Sequence, residues 1–247
     1  STDVTRDRAG VAHAIIFWGF LSFSLSYLIF IYGDSINNQF SSSLLTGKGI
    51  KVFGAYLDIL SVSLLVVILL AVLRRWVFTA NRLRFDLTQK SEAAIILTLI
   101  ALLMVTTILA EAFYVAAANT HSHSFIGNVL GDWLETTGIT DSSATYIYEA
   151  SWWIHLAIIL GFSVYIPISK HVHLVGAPLA FVTRQLGARG TLTTITDFEE
   201  AESFGASRMK DFNQKQLLDA FACAVCGRCT DVCPANLTGK MLSPMHV

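Results

Sequence analysis

All four cysteines of the chain fall in one run, Cys223-Ala-Val-Cys226-Gly-Arg-Cys229-Thr-Asp-Val-Cys233, followed by Pro234. The spacing C-x2-C-x2-C-x3-C-P is a run that holds [4Fe–4S] clusters. Closely spaced thiolates wrap one cubane corner by corner, and in two-cluster proteins the cysteine before the proline reaches the other cluster. Cys223, Cys226 and Cys229 therefore read as ligands of one cluster, and Cys233 as completing it or serving a second. Zinc is the plainer alternative, but structural zinc sites normally pair two C-x2-C hooks across a longer loop. A disulfide framework does not crowd four cysteines into so short a run on the reducing side of a membrane.

Histidines carry the second possible chemistry. His13, His155 and His173 lie in or beside long apolar stretches, and an ionisable side chain inside a membrane span is a functional candidate by default. His155 and His173 are 18 residues apart. On an uninterrupted helix that is five turns, one face and about 27 Å, nearly the thickness of the hydrocarbon layer. His171 would point about 160° away from His173 on such a helix. His13 and His173 are expected at one depth, where two imidazoles from facing helices can hold a haem b edge-on. Two separate interfacial histidines are the alternative. His155 has three readings: ligand of an outer haem with a partner from elsewhere, donor to a quinone oxygen, or a buried histidine bonded to a neighbour. Asp58 and Glu111 fall at similar depth, where an acid beside an imidazole would relay protons to a quinone; Asp58 at a wet boundary is the other reading. His121-Ser-His123 reads as a solvated loop, since nothing nearby completes a metal site. Arg74 and Arg75 read as orientation anchors, within reach of lipid head groups or haem propionates.

The elements that must position these groups are membrane spans. Of 247 residues, 53% are hydrophobic and 14% charged, with mean hydropathy +0.57; soluble domains carry about 25% charged residues. The expected fold is an all-α antiparallel bundle with spans at about 11–32, 52–78, 93–118 and 146–169, each near the 20 apolar residues a bilayer needs. Residues 119–146 are expected as a loop, 177–216 as a linker, and 217–247 as a small ferredoxin-like cluster-binding segment. Lys and Arg gather in the N-terminal arm, after the second span and after the fourth, as Arg6, Arg8, Arg74, Arg75, Arg82, Arg84, Lys90, Lys170, Arg184 and Arg189. The other loops hold only Lys48 and Lys51. By the positive-inside rule both ends and the cysteine run lie in the cytoplasm of a prokaryotic cell, with Trp152 and Trp153 at the outer interface. A net charge of −1 gives no footing for nucleic acid. The chain starts on Ser1 and runs 14 residues past Cys233, so further sequence is expected at both ends.

Two stretches resemble known families. His155-Leu-Ala-Ile-Ile-Leu-Gly161 through Pro167-Ile-Ser-Lys-His-Val-His173-Leu-Val-Gly-Ala-Pro178 resembles the last span of the haem b membrane subunit of respiratory nitrate reductases. Gly10-Val-Ala-His13-Ala-Ile-Ile-Phe-Trp-Gly19-Phe resembles its partner span. This implies an inner haem b on His13 and His173; the family's second histidine, ten residues on, is Phe23 here, so the outer haem lacks that ligand. Leu217 through Cys223 and on to Pro244 is similar to the ferredoxin part of heterodisulfide-reductase-like iron–sulfur oxidoreductases. Some of these fuse a nitrate-reductase-type membrane domain to ferredoxin motifs and cysteine-rich CCG domains, and pass electrons between electron-transfer flavoprotein and menaquinone. The resemblance implies one visible [4Fe–4S] cluster, a second elsewhere, at least one haem b, and a membrane quinone as substrate. The donor would be electron-transfer flavoprotein or a reductase subunit in the cytoplasm. A haem and cluster-bearing anchor whose catalytic site lies on a partner subunit is the alternative.

Overall fold

The spans form because long uncharged runs satisfy their backbone polar groups internally and turn apolar side chains to lipid. The structure, a computed structural model, describes residues 8–33, 44–45, 47–78, 87–184, 186–187 and 208–245. Arg6, Arg82, Arg84, Arg189, His246 and most of the expected linker lie outside the described residues. Four helices are long and apolar enough to cross a membrane: Gly10–Phe30, Gly47–Val77, Lys90–Ala118 and Asp141–Ile168. At most 28% of the most apolar window of any of them is buried, so most of that surface is left for lipid. All four expected spans are present.

The first helix, α1 (Arg8–Tyr27), continues as a π-helical turn through Leu28–Gly33. The second, α2 (Gly47–Val72), ends in a similar turn, Leu73–Val77, carrying Arg74 and Arg75. The third, α3, runs Leu87–Ala118. Lipid is as apolar as leucine, so such helices associate through close packing and polar ties. Leu64 of α2 is buried with Phe23 of α1 and Met104 of α3. Gly19 makes room for it: a Cβ there would stand 2.8 Å from Leu64 Cδ1.

The stretch expected as a loop contains a fourth helix, α4 (Phe125–Thr136). Gly127 lies against Glu111, and Gly131 against Val115 and the Ala112 carbonyl, at 2.6–3.0 Å from where a Cβ would sit. Successive turns of α4 thus meet successive turns of α3 in the same direction. Residues 119–124 must therefore fold back along α3 by seven residues, about 10 Å of helix. Irregular backbone beside spans needs its polar groups satisfied. Asn128 supplies this for Ser122, accepting from its N–H at 2.8 Å and donating to its carbonyl at 3.1 Å.

The last long helix, α5, runs Asp141–Tyr165. Ala144 packs with Phe113 and Ala116 of α3. The helix does not continue unbroken to His173. From Ile166 the chain makes two 3-10 turns, Ile166–Ile168, which contains Pro167, and Lys170–Val172, hinged on Ser169 in extended conformation (φ −121, ψ 172). A proline disfavours helix in the residue before it and removes a donor from the ladder. A new helix, α6 (His173–Val182), starts on His173 itself. The chain divides into two compact units, Ser1–Phe162 and Ser163–Val247.

In the second unit, α6 packs on α7 (Gln214–Phe221), so helix intrudes on both ends of the expected linker. Asn213 and Gln216 cap α7 reciprocally, side chain to backbone at 2.8 and 2.9 Å. Two single-turn helices follow, α8 (Arg228–Asp231) and α9 (Pro234–Leu237). The described part of the expected ferredoxin-like segment contains no strand.

Candidate redox and polar sites

The cysteine run begins where α7 ends. Cys223 N–H donates to the Ala220 carbonyl at 3.3 Å, closing the last turn. The backbone then turns twice through left-handed conformation, at Val225 (φ 49) and Gly227 (φ 74). Glycine takes that conformation without strain, but a β-branched valine does so at a cost of order 1–3 kcal/mol. Cys229 sits on α8, and Cys233 caps α9 just before Pro234. The segment closes on itself through Thr230 Oγ1 and Ser243 Oγ, 3.0 Å apart. All four cysteines are unbridged, with Cys223, Cys226 and Cys229 exposed and Cys233 half-buried. Among the described residues no three His, Cys, Asp or Glu side chains converge as a metal-holding group. The donor set nonetheless fits a cluster in number, chemistry and spacing: four thiols on a short, turning segment.

His173 is fixed by its own chain. Its Nδ1 lies 2.6 Å from the Lys170 carbonyl, which can only accept, so Nδ1 carries the proton. In the neutral ring the lone pair is then on Nε2, the arrangement in which a backbone carbonyl orients a metal-ligating histidine. His173 thus fits an axial ligand. His171 does not point away, as a continuous helix would have it; the 3-10 turn brings its ring edge-on to His173, with centroids 5.3 Å apart. His13 is exposed on α1, in the first unit.

His155 is held differently. Thr106 Oγ1 donates its one proton to the Leu102 carbonyl at 2.7 Å, so it accepts from His155 Nδ1, also at 2.7 Å. Nε2 then accepts from the Tyr27 hydroxyl at 2.5 Å. One imidazole therefore joins α1, α3 and α5. The ring is half-buried and bonded to neighbours on two other helices. An axial haem bond would first need Tyr27 or Thr106 displaced, so the pocket as built does not fit a second haem. Tyr27 and Thr106 were not legible as partners, because their meeting depends on the rotation of three separate helices.

The acids near this level bond elsewhere. Asp58 is buried, and its carboxylate accepts from Ser124 Oγ at 2.8 Å and Ile126 N–H at 3.0 Å. Ser124 Oγ in turn accepts from Gly127 N–H at 2.8 Å. A carboxylate at a helix N-terminus satisfies orphan donors and opposes the positive end of the helix dipole. Asp58 thus supplements the Ser124 cap and pins α4 to α2. It is neither at a wet boundary nor bonded to His155, which corrects the proton-relay expectation for that residue. Glu111 lies beside Gly127 and bonds Ser122. His121 pairs with Asp132 across 3.8 Å on the surface, and the His123 backbone packs on Gly54. Trp152 and Trp153 are exposed, stacked edge-to-face at 5.0 Å.

No family model and no solved structure matches the chain. It is 33% identical over 245 residues to "Probable iron-sulfur-binding oxidoreductase FadF" of Bacillus subtilis, covering 97% of this chain and 33% of that protein. It is 30% identical to "EtfAB:quinone oxidoreductase" of Syntrophomonas wolfei, covering 98% of this chain and 34% of the relative. It is 38% identical over 69 residues to "Probable membrane-anchored ferredoxin" of Chromohalobacter salexigens, covering 27% of this chain and 10% of that protein. The chain thus spans about a third of the first two relatives. The resemblance read from the sequence holds: the chain is similar to membrane iron–sulfur oxidoreductases of the EtfAB:quinone type.

Proposed function

We propose that this chain forms the membrane part of a quinone-linked iron–sulfur oxidoreductase, in which electrons from a cytoplasmic donor reduce menaquinone. The observation that carries the reading is the similarity along nearly the whole chain to an oxidoreductase named for EtfAB and quinone, joined to four unbridged cysteines in cluster spacing. Cys223, Cys226 and Cys229 would bind a [4Fe–4S] cluster, with Cys233 completing it or serving a second. His13 and His173 would bind a haem b. When bound, these groups supply one-electron carriers, and the protein sets their position, burial and ligand orientation. The Lys170 carbonyl holds the His173 proton on Nδ1 and fixes the orientation of the ring. His155, saturated by Tyr27 and Thr106, ties the spans together. Electron-transfer flavoprotein is the donor that the relative's name suggests. The cysteine run faces the cytoplasm on the Lys/Arg rule.

A second reading is favoured by the local similarity to a membrane-anchored ferredoxin. In it the chain is an electron-transfer anchor whose catalytic site lies on a partner subunit. One experiment separates the two and tests both. The chain is produced within its full natural protein and purified anaerobically, and iron, sulfide and haem are measured. Reduced flavoprotein and a menaquinone analogue are then added. Turnover without further subunits supports the first reading, and cofactors without turnover support the second. Absence of both haem and iron–sulfur absorption overturns both.

A further inference from the structure

We propose that Gly176 is the positioning residue that holds the cysteine run close to the helix carrying His173. The inference rests on the reading that these residues bind a cluster and a haem. The helix α6 opens on His173, and Gly176 follows three residues later, on the same face. That face receives the end of α7. A Cβ on Gly176 would stand 2.7 Å from the Phe221 carbonyl oxygen, 2.9 Å from its carbon and 3.1 Å from Ala222 N. These are backbone atoms, so no rotamer change relieves the clash. The next residue after Ala222 is Cys223. One turn further along α6, Ala180 is also buried. Small residues four apart are the pattern that lets two helix backbones approach closely.

The chain from Phe221 to Cys223 is thus seated within one helical turn of His173, and the missing side chain at 176 is what permits it. Electron tunnelling falls off exponentially with separation, so a backbone shift here acts on transfer rate without touching any ligand. With both groups bound, one electron would pass from the reduced cluster to ferric haem iron. No bond is made or broken and no proton moves.

The test uses the full natural protein, reduced and purified anaerobically, as wild type, Gly176→Ala and Gly176→Val. Gly161→Ala is the control, since a Cβ there meets nothing within 4 Å. The expected result is unchanged haem and cluster content, a several-fold slower reduction of haem by the cluster in stopped flow, and weaker magnetic broadening of the reduced-cluster EPR signal by ferric haem. The effect is larger for valine than for alanine, and absent for Gly161→Ala. Should the valine variant not fold, the alanine variant and its EPR broadening carry the test. Full cofactor content with unchanged rate and broadening in Gly176→Ala overturns the inference while leaving the proposed function standing. A wild type without haem or cluster overturns the proposed function and this inference with it.

Discussion

His155 is held at both ring nitrogens by hydroxyls from two other spans, whereas the hold on His173 Nδ1 comes from the carbonyl three residues before it. By type and by the 18-residue spacing the two look equivalent. The difference lies in the backbone between them. Before Pro167 the chain is helix among helices, and its polar groups find partners on neighbouring spans. From Ile166 the helix gives way to two 3-10 turns about Ser169 and restarts at His173, whose Nδ1 bonds within its own turn. In the first unit His155 and Asp58 tie helices together. The second presents thiols and an oriented imidazole on short elements. A metal ligand needs a nitrogen or sulfur kept in one orientation, and the Lys170 carbonyl gives His173 that orientation.

The largest expected effect breaks the second region alone. Cys226→Ser should lower the iron and sulfide of the natural protein by one [4Fe–4S] equivalent while its helical circular dichroism and detergent-extracted yield stay at the wild-type level; full iron and sulfide would remove Cys226 from the ligand set. Next, in the first region, Tyr27→Phe and Thr106→Val each remove one interhelical bond to His155. Such bonds contribute about 0.6–2 kcal/mol in membranes. Each variant should unfold earlier in a detergent-titration series by that amount, with cluster content unchanged, and a double-mutant cycle with His155→Gln should show coupling. No loss of stability in either variant would mean that His155 is not a tie. Asp58→Ala removes the acceptor for Ser124 Oγ and the Ile126 N–H at the start of α4 and should cost about 0.5–2 kcal/mol. Faster hydrogen exchange confined to residues 119–136 is the expected signature. The smallest effect is Gly161→Ala, expected within about 0.5 kcal/mol of wild type, as for surface substitutions away from special features.

The four spans were legible because length and missing charge suffice to mark them. The cysteine run was legible because its four thiols are neighbours in sequence. Two features were missed for physical reasons. The helix α4 carries Gly127, Asn128 and Gly131, which read as loop residues, yet the glycines are there to let it lie on α3. Its signal was present in the Gly-x3-Gly spacing behind Ser124, a good helix cap. His155 and His173 share one face only on a helix that runs through Pro167, and a proline is where such a helix breaks. The capping role of Asp58 was out of reach, since it depends on a connection that returns along α3 from 66 residues away.

The central claim is that His173 is a haem ligand and His155 is not. Reduced-minus-oxidised spectra with a haem quantitation, taken on His173→Ala and His155→Gln in the natural protein, test it directly. The account predicts that the b-type band disappears in His173→Ala and persists in His155→Gln at lowered stability. A band that survives His173→Ala and vanishes in His155→Gln contradicts it.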